Sequence, residues 1–227
     1  MKIGILQTGL APDELKGSFG EYPGFFERLL ANKGFTFQSW SVVEDVFPNG
    51  PEDADGWLIT GSRHGAYEDH PWIPPLEQLI RDIVAANRPL IGVCFGHQII
   101  AQAMGGKVEK FKGGWAVGQQ EYDFGGETMT INAWHQDQVV AVPDSAQVVA
   151  SNDHCANAAL LYPGKAFTVQ PHPEYGDDFI TGLIDTRGKG VVPDDLMQGA
   201  RRRMGRPLDN SRMADQFAKF FREGTIA

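Results

Sequence analysis

The sequence is short of cysteine, of long apolar runs and of positive charge, and each shortage excludes something. Only two cysteines occur in 227 residues, Cys94 and Cys155, far apart along the chain. A disulfide framework is therefore not the organising device, and a reducing compartment is expected. No apolar run approaches the ~20 residues that a membrane helix requires. The opening MKIGILQTG has neither the apolar stretch nor the small-residue cleavage site of a signal peptide, so a cytoplasmic location is expected. Lysine and arginine number 20 against 29 aspartates and glutamates, for a net charge of −9. Nucleic acid and anionic membranes both reward clustered basic residues, so neither is expected as a partner. Internal repeats, low-complexity tracts and linkers are missing too, and one domain over residues 1–227 is expected.

What is present reads as alternating strand and helix. Lys2–Gln7 is predicted as a strand, and Glu21–Asn32 as a helix on its Phe25, Phe26, Leu29 and Leu30 spacing, with Gly34 as its stop. Phe35–Val42 and Gly56–Thr60 return to strand character. Pro74–Ala86 reads as an amphipathic helix with proline at its start. Leu90–Val93 is a short apolar strand, followed by Cys94 and a helical pattern through Met104. This alternation predicts an α/β fold with a mostly parallel sheet and helices on both faces. Ala116–Phe124 and Glu127–Trp134 read as a small antiparallel hairpin around Gly125-Gly126. Val148–Ser151, Ala158–Tyr162 and Ala166–Gln170 are further strands. From Asp177 the tail, about residues 177–227, is helical, with breaks near Gly188–Pro193 and Gly205–Pro207. Arg201, Arg202, Arg203 and Arg206 in this tail read as a solvated helix face; a docking patch for an acidic partner is the sharper alternative.

Cys94 lies in Gly92-Val93-Cys94-Phe95-Gly96-His97-Gln98, between a buried strand and a helix. Free cysteine is commonly a core residue, but two features here point to chemistry. Glycines at 92 and 96 have the spacing of a nucleophile elbow, where a sharp strand-to-helix turn exposes the nucleophile. A helix N-terminus directly after the sulfur favours thiolate over thiol. Cys155, in a polar turn, has neither feature and reads as structural.

The second constellation is Gln170-Pro171-His172-Pro173-Glu174. Residues before proline are pushed to extended geometry, and in an extended segment i and i+2 share a face. His172 and Glu174 can thus address one site, the carboxylate orienting the imidazole as in a triad. His97, three residues past Cys94, competes as base but has no acidic residue spaced to orient it. The histidines at 64, 70, 135 and 154 show no H-E-x-x-H-type spacing, so no metal is expected.

Together these residues resemble the class I glutamine amidotransferase family. Its nucleophile motif C-x-G-x-Q is matched by Cys94-Phe95-Gly96-His97-Gln98, and its downstream H-P-E by His172-Pro173-Glu174. A glycine turn after a strand some 30 residues upstream corresponds to Thr60-Gly61-Ser62, where the family usually has Gly-Gly-Pro. The stretch Trp134-His135-Gln136-Asp137 corresponds to the family's His-x-Asp, with Gln136 where glycine or serine is commoner. The resemblance implies a flavodoxin-like α/β fold, with Cys94 as nucleophile, His172 as general base and acid, and Glu174 as its orienter. It further implies that the backbone N–H groups of Gly61 and Phe95 face a developing oxyanion. Gln98 and Gln136 would bind the amino-acid end of the substrate. The reaction implied is attack on the γ-amide of glutamine or a γ-glutamyl compound through a thioester, without a cofactor.

No G-x-x-x-x-G-K-[ST] loop is present, so ATP-driven amination is not expected on this chain. Three readings stay open. One is a stand-alone hydrolase of the GMP-synthase-like amidotransferase group, which the helical tail resembles. Another is a glutaminase subunit feeding ammonia to a separate synthetase. The third, a non-catalytic module on this fold, is at odds with an intact triad.

Overall fold

The structure is a computed structural model, and it describes residues 1–226. The first half runs β1 (Lys2–Leu6), α1 (Asp13–Phe19), α2 (Tyr22–Leu29), β2 (Thr36–Trp40), β3 (Gly56–Ile59), α3 (Ile73–Ala85), β4 (Leu90–Val93) and α4 (Phe95–Ala103). The second half begins with β5 (Lys107–Lys110), β6 (Ala116–Asp123), β7 (Thr128–His135) and β8 (Asp137–Ala141). It continues with β9 (Gln147–Ala150), β10 (Ala159–Tyr162) and β11 (Ala166–Val169). Helices α5 (Asp177–Leu183), α6 (Asp194–Arg203) and α7 (Asn210–Glu223) close it.

Seven strands form one sheet in the order β2-β1-β3-β4-β11-β10-β9. The first five of these are mutually parallel; β10 runs antiparallel to both β11 and β9, which forms the edge. The central strands are buried on both faces, and their side chains alternate between two cores as a two-residue period requires. Trp57, Ile59 and Leu90 face a core closed by Leu76, Ile80 and Ile83 of α3 and Ile99 and Ile100 of α4. Leu58, Ile91 and Val93 face the opposite core, closed by Phe26 of α2 and Met213, Phe217 and Phe220 of α7. The α3 residues recur at three- and four-residue spacing behind a proline pair in the first turn, which is why this segment is helical.

The expected α/β architecture is present, with two departures. The antiparallel element is two separate two-stranded sheets, β6-β7 and β5-β8, rather than one hairpin. The short, charged β5 (KVEK) and the helical segment Asp13–Phe19 carry no strong sequence period, and neither is expected from pattern alone. The arginine-rich stretch is also not simply a solvated face. Arg203 donates from Nε to the Gln119 carbonyl at 3.1 Å and from Nη2 to the Val117 carbonyl at 3.0 Å, tying α6 to β6. Among the described residues, no helix is long and apolar enough to cross a membrane.

Topology positions the site. Neighbours β3, β4 and β11 are parallel, with Ile59 beside Gly92 and Val93 beside Val169. Their carboxyl ends therefore emerge together, and the residues that follow them, Gly61, Cys94 and His172, meet at the carboxyl end of the sheet. Open α/β sheets place their sites at such strand ends.

Candidate active site

Cys94 is the hinge between β4 and α4. Its φ of 53° and ψ of −104° lie outside the regions open to most non-glycine residues, and such strain clusters at functional positions. Its N–H bonds the Val169 carbonyl at 2.9 Å, and its carbonyl accepts the Gln98 N–H at 3.0 Å, opening the helix. The flanking glycines are required by close approach. A Cβ at Gly92 would lie 2.5 Å from the Gly96 carbonyl oxygen, and one at Gly96 would lie 2.3 Å from that of Ile59. The turn is thus too tight for any side chain at either place.

His172 is fixed by its backbone N–H, which bonds the Asn132 carbonyl at 2.8 Å. Its Nδ1 is 2.6 Å from Glu174 Oε1, and both side chains are almost wholly buried, 3% and 2% exposed. Cys94 lines the same cavity as this ring, and both lie against Gly61. Burial alone would push the His172 pKa down, but the neighbouring Glu174 and Cys94 outweigh it and hold it up at about 10. Tyr175 stacks flat on the imidazole, with ring centroids 4.1 Å apart and planes 10° apart. Tyr22 packs beside Tyr175 in turn, ring centroids 6.3 Å apart, and burial pushes its hydroxyl up to about 12. Thiol, imidazole and carboxylate in a row are the parts of a nucleophile, a proton carrier and an orienting group.

A cavity of about 360 Å³ opens over these groups, within the range of small-molecule sites. Cys94, His172, Gln98 and Gln136 all line it, so four of the residues expected from the sequence converge. Gly61 sits behind the imidazole: a Cβ there would fall 2.9 Å from His172 Cε1 and 3.7 Å from Cys94 Cβ. Among the described residues, no hydrogen bond occupies the N–H of Gly61 or of Phe95. Gln98 Nε2 is engaged internally, donating to the Asp137 carbonyl at 2.8 Å and to Gln170 Oε1 at 3.1 Å. Gln136 Nε2 reaches the Phe111 carbonyl at 3.4 Å.

His97 does not join the site. It is fully buried, its Nδ1 is 2.8 Å from the Thr168 hydroxyl, and burial pushes its pKa down to about 3. It is a neutral core histidine. Cys155 is buried as well, and burial pushes its thiol up to about 12. Several wall residues had no signal in the sequence. Tyr22, Trp115 and Arg187 reach the cavity from distant elements. Trp134, beside the His-x-Asp stretch, and Tyr175, directly after H-P-E, lay close enough to a motif to be found.

A doubly wound, flavodoxin-like α/β protein is thus defined, with its candidate site where β3, β4 and β11 end. Residues 41–178 match the family described as glutamine amidotransferase class-I. The chain belongs to that family. It is 33% identical to gamma-glutamyl peptidase 4 of Arabidopsis thaliana, over 75% of this chain and 74% of that protein. It is also 33% identical to a subunit of the glutamine-hydrolyzing GMP synthase of Methanopyrus kandleri, over 70% of this chain and 92% of that protein. A crystal structure of a glutamine amidotransferase from Thermotoga maritima matches the fold with a TM-score of 0.73 at 21% identity, covering 100% of this chain and 98% of that one.

Proposed function

We propose that this chain hydrolyses the γ-amide bond of a γ-glutamyl compound through a thioester on Cys94. The observation that carries the proposal is the strained Cys94 elbow, which shares its cavity with a buried His172 that Glu174 holds at 2.6 Å. The Cys94 sulfur, its proton taken by His172, attacks the γ-carbonyl carbon, and the tetrahedral oxygen accepts bonds from the N–H groups of Gly61 and Phe95. The C–N bond breaks as His172 passes its proton to the leaving nitrogen, and a γ-glutamyl thioester remains. Water then attacks the thioester, His172 takes its proton, and glutamate and the Cys94 thiol are released. Each oxyanion donor contributes roughly 3 kcal/mol to lowering the barrier. With the Gln98 N–H groups engaged internally, its carbonyl oxygen is the end offered to a substrate ammonium, with Gln136 at the same wall.

The similarity to a gamma-glutamyl peptidase supports a leaving group larger than ammonia. So does a cavity that extends to Trp115, Trp134 and Arg187, beyond what glutamine alone would fill. Purified protein is assayed for glutamate release from glutamine and from a panel of γ-glutamyl peptides and amides. Turnover of a γ-glutamyl peptide at about 1 s⁻¹ or faster, without any other protein, is expected. Silence on the whole panel, relieved only when a synthetase is added, would replace this reading with that of an ammonia supplier to a synthetase, the role suggested by the similarity to the GMP synthase component.

A further inference from the structure

The loop between β3 and α3 brings together three side chains that the triad does not use. Glu68 Oε2 is 2.7 Å from His70 Nε2 and 3.5 Å from His64 Nδ1. The three atoms all lie within 4.8 Å of one another. Ligand atoms at ~2.0–2.2 Å from a tetrahedral zinc stand ~3.3–3.6 Å apart; the His64–Glu68 spacing already matches, whereas Glu68 and His70 stand at hydrogen-bond distance, so an ion would displace the proton they share and part them by roughly 0.6–0.9 Å. The spacing His64-x3-Glu68-x-His70 matches no helical ligand motif, which is why no metal is expected from the sequence.

Two further features fit a ligand set rather than a chance contact. The loop is locked by successive turns: the Glu68 N–H bonds the Gly65 carbonyl at 3.0 Å, that of His70 the Glu68 carbonyl at 3.1 Å, and that of Ile73 the His70 carbonyl at 3.0 Å. The rings are held by buried Trp72, which stacks on His70 (5.7 Å, 12°) and meets His64 edge-on (5.8 Å, 67°).

We propose that His64, Glu68 and His70 bind a divalent transition-metal ion, with zinc the best match, at the rim of the cavity that holds Cys94. Two imidazoles and one carboxylate leave an open position on the ion. His64 and Glu68 line the same cavity as Cys94, and Trp72 also packs on Phe95, the residue after the thiol, at 5.6 Å. A bound ion therefore narrows the entrance and adds a positive centre there. This proposal does not depend on the γ-glutamyl reading.

The test is calorimetric titration of zinc into the full chain carrying Cys94→Ala, which removes the thiol that would itself capture the metal. Uptake of about one ion per chain is expected, and Glu68→Gln or His70→Ala on that background should weaken it by roughly 100-fold. Cobalt in place of zinc should give the visible absorption of a four- or five-coordinate ion, lost in the same variants. His64→Gln serves as a third ligand variant, and unchanged melting temperatures establish that each variant is folded. No uptake by the Cys94→Ala protein, or uptake undiminished in all three ligand variants, would overturn the proposal.

Discussion

His172 carries the sharpest electrostatic statement in the molecule, because a buried imidazole is ordinarily neutral and this one is held charged. Its pKa is raised from 6.5 to about 10, so its contribution to stability is complete below pH 6.5 and is lost as pH rises towards about 10. Melting temperature should therefore fall across that window, and fall less in a folded His172→Gln protein; equal slopes would contradict the charged pair. In kinetics, His172→Ala should lower kcat by ~10³-fold or more, since both proton transfers pass through this ring. Glu174→Gln should cost less, because the carboxylate orients without exchanging the proton. His97→Ala should act on stability rather than kcat, through loss of a buried ring bonded to Thr168. A His97→Ala loss of kcat matching that of His172→Ala would mean the wrong histidine has been assigned. Cys94, His172 and Glu174 were legible in the sequence because each sits in a short motif whose neighbours force its geometry. Trp115, Tyr22 and Arg187 were not, because each enters the cavity from a distant element and no local pattern marks it.

At the scale of elements, three glycines set the distances. Gly92 and Gly96 let the elbow close against itself, and Gly61 lets the β3 end lie against the His172 ring. Gly96→Ala, with backbone 2.3 Å from the new methyl, should destabilise by at least ~1–3 kcal/mol and disturb the Cys94 turn. Gly61→Ala meets a side chain rather than backbone, at 2.9 Å from His172 Cε1. It should leave the fold intact while reducing kcat, and parallel melts and assays separate the two effects. Strands β1, β3, β4 and β11 were legible as short apolar runs because both their faces are buried. The β5-β8 pair was not: its charged residues alternate weakly, and its pairing is fixed by where α4 delivers the chain rather than by composition.

At the scale of the whole molecule, the C-terminal helices complete the core. Phe217, Phe220 and Phe221 of α7 are buried against the sheet with Ile3, Ile5 and Phe167. Three such side chains are together worth roughly 5–9 kcal/mol, comparable to a domain's entire stability of ~5–15 kcal/mol. A chain ending before α7 should not fold cooperatively, as circular dichroism on heating would report. Asp177, at the start of α5, binds the tail to the hairpin by accepting from Gln119 Nε2 (2.9 Å), Asn132 Nδ2 (3.1 Å) and the Gly205 N–H (2.8 Å). The helical character of this tail was legible from its residue pattern; its role in closing the second core was not, because the partners of α7 lie at the other end of the sequence. The central claim remains local: one thiol of two is the nucleophile. Protein treated with a glutamine-mimicking electrophile, digested and mapped by mass spectrometry, should carry one adduct on Cys94 and none on Cys155, whose buried thiol is pushed up to about 12. Labelling confined to Cys155, or full turnover by Cys94→Ala, would contradict the account.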